Sequence, residues 1–426
     1  MAVEMKDSGV PYIGTIPTYW ELHPLALYFD ENRQNNSALE TENALQFKFG
    51  EIIQKPKKNS ELTDEDKALI SRYTIVDKND IVVNCLNLNY DLKSLRIGRV
   101  REHGIITSAY IVIRKRDKED SSFFNYLLKA YDDQKVFHNM GTGIRLTLKF
   151  QELKTLLLPI PPLSERHTIV TFLDRKCGEI DELLDLETQM IDELKAYKQS
   201  IITEAVTRGL NPNVPMRNSG IEWIGEIPQH WKTTKLKFVG SARNGLTYTP
   251  TDVCDEEQGL LVLRSSNIQN GQLCFDDNVY VSKSVDSRLM MQEGDILICS
   301  RNGSASLVGK CALIRDNLNA TFGAFMMRYR SNIDKSYTLY LINTTIGQYK
   351  PMFSTSTINQ LTNEMIGSMQ VAIPPLQEQR TIAEYLDSKC ADIDALIALR
   401  QDKIDTLREY KKSLIFEYVT GKKQVV

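Results

Sequence analysis

Apolar residues recur every three or four positions along two long stretches of this chain. The first stretch carries Leu173, Cys177, Ile180, Leu184, Ile191, Leu194, Ile201 and Ala205; the second carries Leu386, Cys390, Ile393, Ile397, Ile404, Leu407, Leu414 and Tyr418. That spacing puts each set on one helical face, and apart from Gly178 no glycine or proline interrupts either run. The pattern predicts helices over 164–207 and 377–420, each a coiled-coil rod of about 66 Å. Pro161–Pro162 and Pro374–Pro375 stop whatever precedes them, Ser164 is placed as an N-cap, and Gly209 and Gly421 are expected to end the helices in a left-handed conformation.

Between these runs the period changes. Residues 21–159 and 232–372 show short alternating apolar stretches punctuated by Gly, Asn and Asp, the signature of strands and turns. The two segments share little sequence, yet "KNDIVVN" (78–84) resembles "EGDILIC" (293–299), "RIGRV" (96–100) resembles "LVGKC" (307–311), and "SAYIVIR" (108–114) resembles "GAFMMRY" (323–329). One α/β fold with diverged loops is expected in both.

The flanking motifs are repeated outright. "IPPLSERHTIVTFLD" (160–174) returns as "IPPLQEQRTIAEYLD" (373–387), and more than half of the positions in 160–207 and 373–420 are identical. "SGVPYIGTIPTYW" (8–20) returns as "SGIEWIGEIPQHW" (219–231). The chain is two tandem halves, each opening with one motif and closing with the other. The expected division is 1–159, opening segment and first variable domain; 160–210, first long helix; 211–372, linker, opening segment and second variable domain; 373–426, second long helix.

Composition narrows the class. At 426 residues, 42% hydrophobic and 25% charged, there is material for two or more cores. No apolar run approaches the ~18 residues of a membrane span, and a cytoplasmic location is expected. Seven scattered cysteines without C-x-x-C fit reduced thiols, with Cys177 and Cys390 as core residues. The net charge of −3 hides an asymmetry: the two predicted helices are acidic, which leaves the remainder mildly basic and able to meet phosphates.

These motifs, in order and duplicated, resemble the specificity subunit of type I restriction–modification systems over the whole chain. The second copy keeps Trp223, Glu378 and Gln379 where that family has them; the first has Tyr12 for Trp and Arg166 for Gln. The resemblance implies an α/β chain: two target-recognition domains joined by two long antiparallel coiled-coil helices, a pseudo-twofold tandem repeat. It implies a non-catalytic reader of a bipartite, asymmetric double-stranded DNA target. Two methyltransferase subunits and up to two restriction endonuclease/translocase subunits would join it, and S-adenosylmethionine, ATP and Mg would be bound by those partners, none by this chain. A specificity subunit of a related type II enzyme and, more distantly, a stand-alone nuclease are the competing readings.

The residues themselves offer little catalysis. "NGSASLVGK" (302–310) has one residue too many for a phosphate loop and ends in Cys311 instead of Ser/Thr. The "ELK" triplets at 152–154 and 193–195 sit where ordinary surface charge is expected, and the five histidines have no metal-ligand spacing. Base readout needs side chains that bond base edges, backed by cations at phosphates. The first domain offers Lys57, Lys58, Asn87, Asn89, Lys93, Arg96, Thr142 and Arg145; the second offers Tyr248, Arg264, Ser265, Ser266, Asn267, Arg301, Asn302, Thr357, Asn359 and Gln360. Beside the helical seam, Leu183, Met190, Tyr197, Leu396 and Tyr410 widen the apolar face and are expected to meet partner helices. Glu187 and Arg400 are repeat-mates at one seam position, opposite in charge, and are expected to pair and set the helix register.

Overall fold

Both variable segments build the same four-stranded antiparallel sheet because their strands bury both faces. In the computed structural model, which describes residues 3–48, 50–56, 62–89, 91, 95–117, 121–141, 146–353 and 360–425, the first sheet runs Phe29–Glu31, Ile111–Lys115, Ile81–Val83, Ile97–Arg99. Ile81, Val83, Ile97, Ile111 and Ile113 pack with Phe124 and Leu127 of the helix Ser122–Asp133, whereas Val82 and Val112 face Leu45, Ile52, Val76 and Ile106 on the other side. The second sheet runs Gly240–Asn244, Met326–Ser331, Ile296–Cys299, Cys311–Leu313. It splits in the same way, Ile296, Ile298, Met327 and Tyr329 to one core and Leu297, Cys299, Ala312 and Met326 to another. Period-two alternation with both faces covered is what "IVV" and "ILIC" encode.

Backbone bonding corrects two of the three sequence matches between the domains. Asn84 N–H donates to the Arg96 carbonyl as Cys299 N–H does to Lys310, and Val100 N–H to Asp80 as Ile314 N–H does to Asp295. "RIGRV" therefore corresponds to "KCALI" (310–314), three residues beyond the match that aligned the glycines. "SAYIVIR" shifts by one, because Ile111 pairs with Val83 as Met327 pairs with Ile298. The shift makes Arg114 and Arg330 equivalent. Each clamps a buried aspartate bidentately: Arg114 Nε and Nη2 lie 2.8 and 2.7 Å from Asp80, Arg330 Nε and Nη2 2.6 and 2.7 Å from Asp295.

The chain divides into two units, Met1–Thr188 with Gln401–Val426, and Gln189–Arg400. The long helices span Leu163–Arg208 and Leu376–Val419, and each contributes one half to each unit. Helix one starts at Leu163, so Ser164 lies within the first turn instead of capping it, and the Pro162 carbonyl accepts the Arg166 N–H at 3.0 Å. Gly209 and Gly421 end the helices at φ +76° and +71°, as the sequence predicts. In the first unit the pair runs antiparallel, with Lys411 on Asp181 at 2.6 Å and Lys403 on Glu187 at 2.7 Å; Leu173, Cys177 and Ile180 share a core with Leu414, Ile415 and Val419. In the second unit Lys198 meets Asp394 at 2.6 Å, and Ala205 and Val206 share a core with Ile382, Ala383 and Leu386.

The repeated motifs turn out to be each other's partners. In the first unit Trp20 Nε1 donates to Glu165 at 3.2 Å; in the second, Trp231 Nε1 donates to Glu378 at 3.1 Å. Each variable domain begins and ends on a two-stranded ribbon, Glu21–Pro24 with Leu157–Ile160 and Lys232–Lys235 with Gln370–Ile373, which delivers the chain into its long helix. A tyrosine from each domain's helix reaches the long helix, Tyr126 to Asp174 at 2.6 Å and Tyr340 to Asp387 at 2.7 Å. The departures in the first copy are absorbed locally: Tyr12 packs edge-on against Tyr131, and Arg166 lies over Phe124.

Asp132 gives the first unit a pH dependence. It is buried, its Oδ2 accepts the Arg96 amide N–H at 2.6 Å, and its Oδ1 has no partner among the described residues. Burial pushes the carboxyl up from 3.8 to about 6, against the pull of the Arg96 amide. The folded form thus holds this proton more tightly than the unfolded chain. The stabilisation is fully present below the unfolded value and is lost as pH rises through about 6. Going from about pH 7.5 to 4.5 should raise the first unit's stability by roughly 2 kcal/mol through this group. Hydrogen exchange across that range should show the slope in the native chain and lose it in Asp132→Asn.

Candidate nucleic-acid interface

Three segments far apart in sequence converge at one edge of the second unit. The strand Leu260–Leu263 runs into the turn Ser265–Asn267, the strand Ile296–Cys299 runs into Ser300–Gly303, and the strands Ala320–Phe322 and Met326–Ser331 are joined by Gly323–Phe325. Between them opens a cleft of ≈ 980 Å³ lined by Tyr248, Arg264, Ser265, Ser266, Asp277, Arg301, Asn302 and Phe325, among others. Six of the residues singled out in the sequence therefore meet in one place.

The cleft is pre-arranged. The Phe325 carbonyl accepts the Ser300 and Arg301 N–H groups at 3.0 and 3.1 Å and the Ser300 hydroxyl at 2.9 Å, which staples two of the segments together. Asn302 Nδ2 donates to Ser265 Oγ at 3.3 Å and Lys310 Nζ to the Ser265 carbonyl at 3.3 Å, which ties in the third. Arg264 is held by Asp277 at 2.8 Å, and the Arg301 guanidinium lies 5.4 Å from the Phe325 ring centre. Arg264 Nε and Ser266 Oγ are shielded from water and have no hydrogen-bond partner among the described residues. Such groups are costly unless something arrives to satisfy them. A cleft of cations, hydroxyls and an amide, with the Tyr248 and Phe325 rings, suits a polyanion that carries hydrogen-bonding edges.

Two candidates are corrected by burial. Arg96 is fully buried, and its guanidinium donates to the carbonyls of Asn84, Leu86, Asn87 and Asp91 at 3.1, 2.8, 3.4 and 2.7 Å, so it shapes the 84–91 loop and reaches no ligand. Asn267 is likewise buried: its Oδ1 accepts the Arg264 N–H, and its Nδ2 donates to the Cys274 carbonyl and to Asn278. Asn87 and Asn89 are exposed at the tip of the loop that Arg96 organises, and Gln360 is half-buried in a bridge with Arg301. Lys57, Lys58, Lys93, Thr142, Arg145, Thr357 and Asn359 lie outside the described residues. Phe325 and Asp277 were missed. The "GAF" run reads as the start of a strand, and only the turn it makes exposes the ring.

On the helices, the seam is buried or half-buried along its length, with Glu187 at 3% exposure. Beside it Leu183, Leu186 and Tyr410 are exposed in the first unit, and Leu396, Leu399 and Tyr197 in the second; Met190 and Arg400 are half-buried. These exposed residues are repeat-mates, so each unit presents the same apolar face uncovered. Among the described residues no helix is long and apolar enough to cross a membrane.

Comparison with known proteins agrees with this geometry. The sequence model of the family described as "Type I restriction modification DNA specificity domain" matches residues 32–196 and 228–408. The specificity subunit of the type I restriction enzyme MjaVIII of Methanocaldococcus jannaschii is 23% identical over 374 residues, 84% of each chain. That of EcoKI of Escherichia coli is 28% identical over 206 residues, 46% of this chain and 44% of its own. A chain solved in work on complex assembly and conformational transition of the type I R-M system shares the fold, with a TM-score of 0.71 at 17% identity over 96% of this chain and 99% of that one. With two matched domains, two repeated halves and the helix pair between their motifs, the chain belongs to the type I restriction–modification DNA specificity family, as a specificity subunit with two DNA recognition domains.

Proposed function

We propose that the two units read the two halves of a bipartite, asymmetric double-stranded DNA target and that the chain itself catalyses nothing. The carrying observation is the second unit's cleft, where diverged loops on a repeated scaffold bring Arg264, Ser265, Ser266, Arg301 and Asn302 together with unsatisfied donors. In the first unit Asn87 and Asn89 occupy the corresponding reading edge. Two methyltransferase subunits dock on the duplicated apolar faces of the long helices, and up to two endonuclease/translocase subunits join them. The assembled complex is an adenine-N6 methyltransferase and ATP-dependent endonuclease working in the cytoplasm. S-adenosylmethionine, ATP and Mg belong to those partners.

The test is an exchange. Replacing residues 21–159 with the corresponding domain of a relative, followed by methylome sequencing of the host, should change one half of the methylated motif and leave the other. A change in both halves would overturn the two-reader assignment. Docking is tested separately. Tyr197→Glu combined with Tyr410→Glu should cut co-purification of methyltransferase subunits at least ten-fold, because each buried aromatic at an interface centre is worth about 2 kcal/mol or more. The variants' melting curves should stay put, since both rings are exposed in the isolated chain.

A further inference from the structure

Phe325 is 61% exposed in the lining of a cleft that also carries Arg264, Arg301, Asn302 and two serines. Its backbone is held in place: its own carbonyl is the acceptor for Ser300 and Arg301, so the turn that carries the ring is fixed by the staple between two strands. Arg301 lies over the ring at 5.4 Å, which keeps a cation and an apolar surface side by side. A fixed apolar surface beside a guanidinium needs a ligand with an apolar group next to a hydrogen-bond acceptor. On the major-groove edge of duplex DNA the one apolar group is the 5-methyl of thymine, and the acceptors best matched to arginine are guanine O6 and N7.

We propose that Phe325 is a specificity-determining residue that packs on a thymine methyl in the half-site read by the second unit, adjacent to the group bound by Arg301. This rests on the cleft facing DNA. The contact reads thymine against cytosine, a distinction that the surrounding hydroxyls, able to donate or accept, make poorly on their own. An alternative use of the ring, as a wedge between base steps, is independent of the methyl group and is separated by the same experiment.

The full-length chain is titrated with duplexes carrying the methylated motif, in which each thymine is replaced in turn by deoxyuridine. At one position, in the second unit's half-site, uracil should weaken binding about four-fold, the worth of one methyl group removed from contact. Phe325→Ala should lose at least as much on the natural duplex and become indifferent to uracil at that position, while Phe325→Leu retains part of the discrimination. Uracil tolerated at every position, or still sensed by Phe325→Ala, would overturn the proposal. Arg301→Ala separates the two levels. If it weakens binding about ten-fold while uracil is tolerated throughout, the cleft binds DNA and only the Phe325 assignment fails. If Arg301→Ala and Phe325→Ala both leave affinity and its salt dependence unchanged, the cleft is not a reader and both readings fail.

Discussion

Replacing Arg330 with methionine is expected to destabilise the second unit by about 3–5 kcal/mol. The pair it breaks is asymmetric. Asp295 is 1% exposed, whereas the Arg330 side chain is about a third exposed. Removing the arginine strands a carboxylate with no water to replace its two charge-assisted bonds. Among the described residues the Gln292 N–H, at 2.8 Å, is the side-chain bond left to it. Asp295→Asn keeps that bond and leaves a guanidinium that can hydrate, so it should cost only about 1–2 kcal/mol. Because two units make a single unfolding midpoint ill-defined, hydrogen exchange of the strands 240–244, 296–299 and 326–331 is the suitable probe. Equal costs for the two variants would show that burial of the carboxylate does not set the energetics.

The second large effect is at the paired motifs. Trp231→Ala should cost about 3–5 kcal/mol, the usual toll of emptying a buried tryptophan site. Trp231 is 1% exposed, shares a core with Ala205, Val206 and Ile382, and donates to Glu378. Its loss opens a cavity where the opening motif meets the long helix and strips Glu378 of one donor. Trp231→Phe retains most of the packing and should cost about 1–2 kcal/mol, with the indole bond as its main part. Trp20, fully buried and donating to Glu165, should behave alike in the first unit. Local exchange rates near 201–206 and 382–386 report the effect. A Trp231→Ala variant with unaltered protection there would mean the indole is not what joins the two motifs.

The architecture was largely legible in the chain because it is written in local periodicity. A seam at 3.6-residue spacing, proline before and glycine after, specifies a long helix without reference to anything distant, and Gly209 and Gly421 stop the helices where the sequence places them. The unbroken apolar runs "IVV" and "ILIC" specify strands buried on both faces in the same way, and duplication of the motifs specifies two copies of whatever they build. What each polar side chain does was decided only by tertiary structure. Arg96 and Arg301 look alike in sequence, each an arginine beside a strand in an Asn/Ser-rich stretch. One is consumed by four carbonyls of its own loop and the other lies on an exposed ring. Within the first unit Lys403 pairs with Glu187 at 2.7 Å, a partner that the comparison of repeats does not name. The equivalence of Arg114 with Arg330 was hidden by a one-residue shift that only the strand register reveals. The physical reason is common to all of these. Helix and strand preferences are summed over neighbours in sequence, whereas a hydrogen bond or ion pair is made with whichever group the fold brings within about 3 Å, often from more than a hundred residues away.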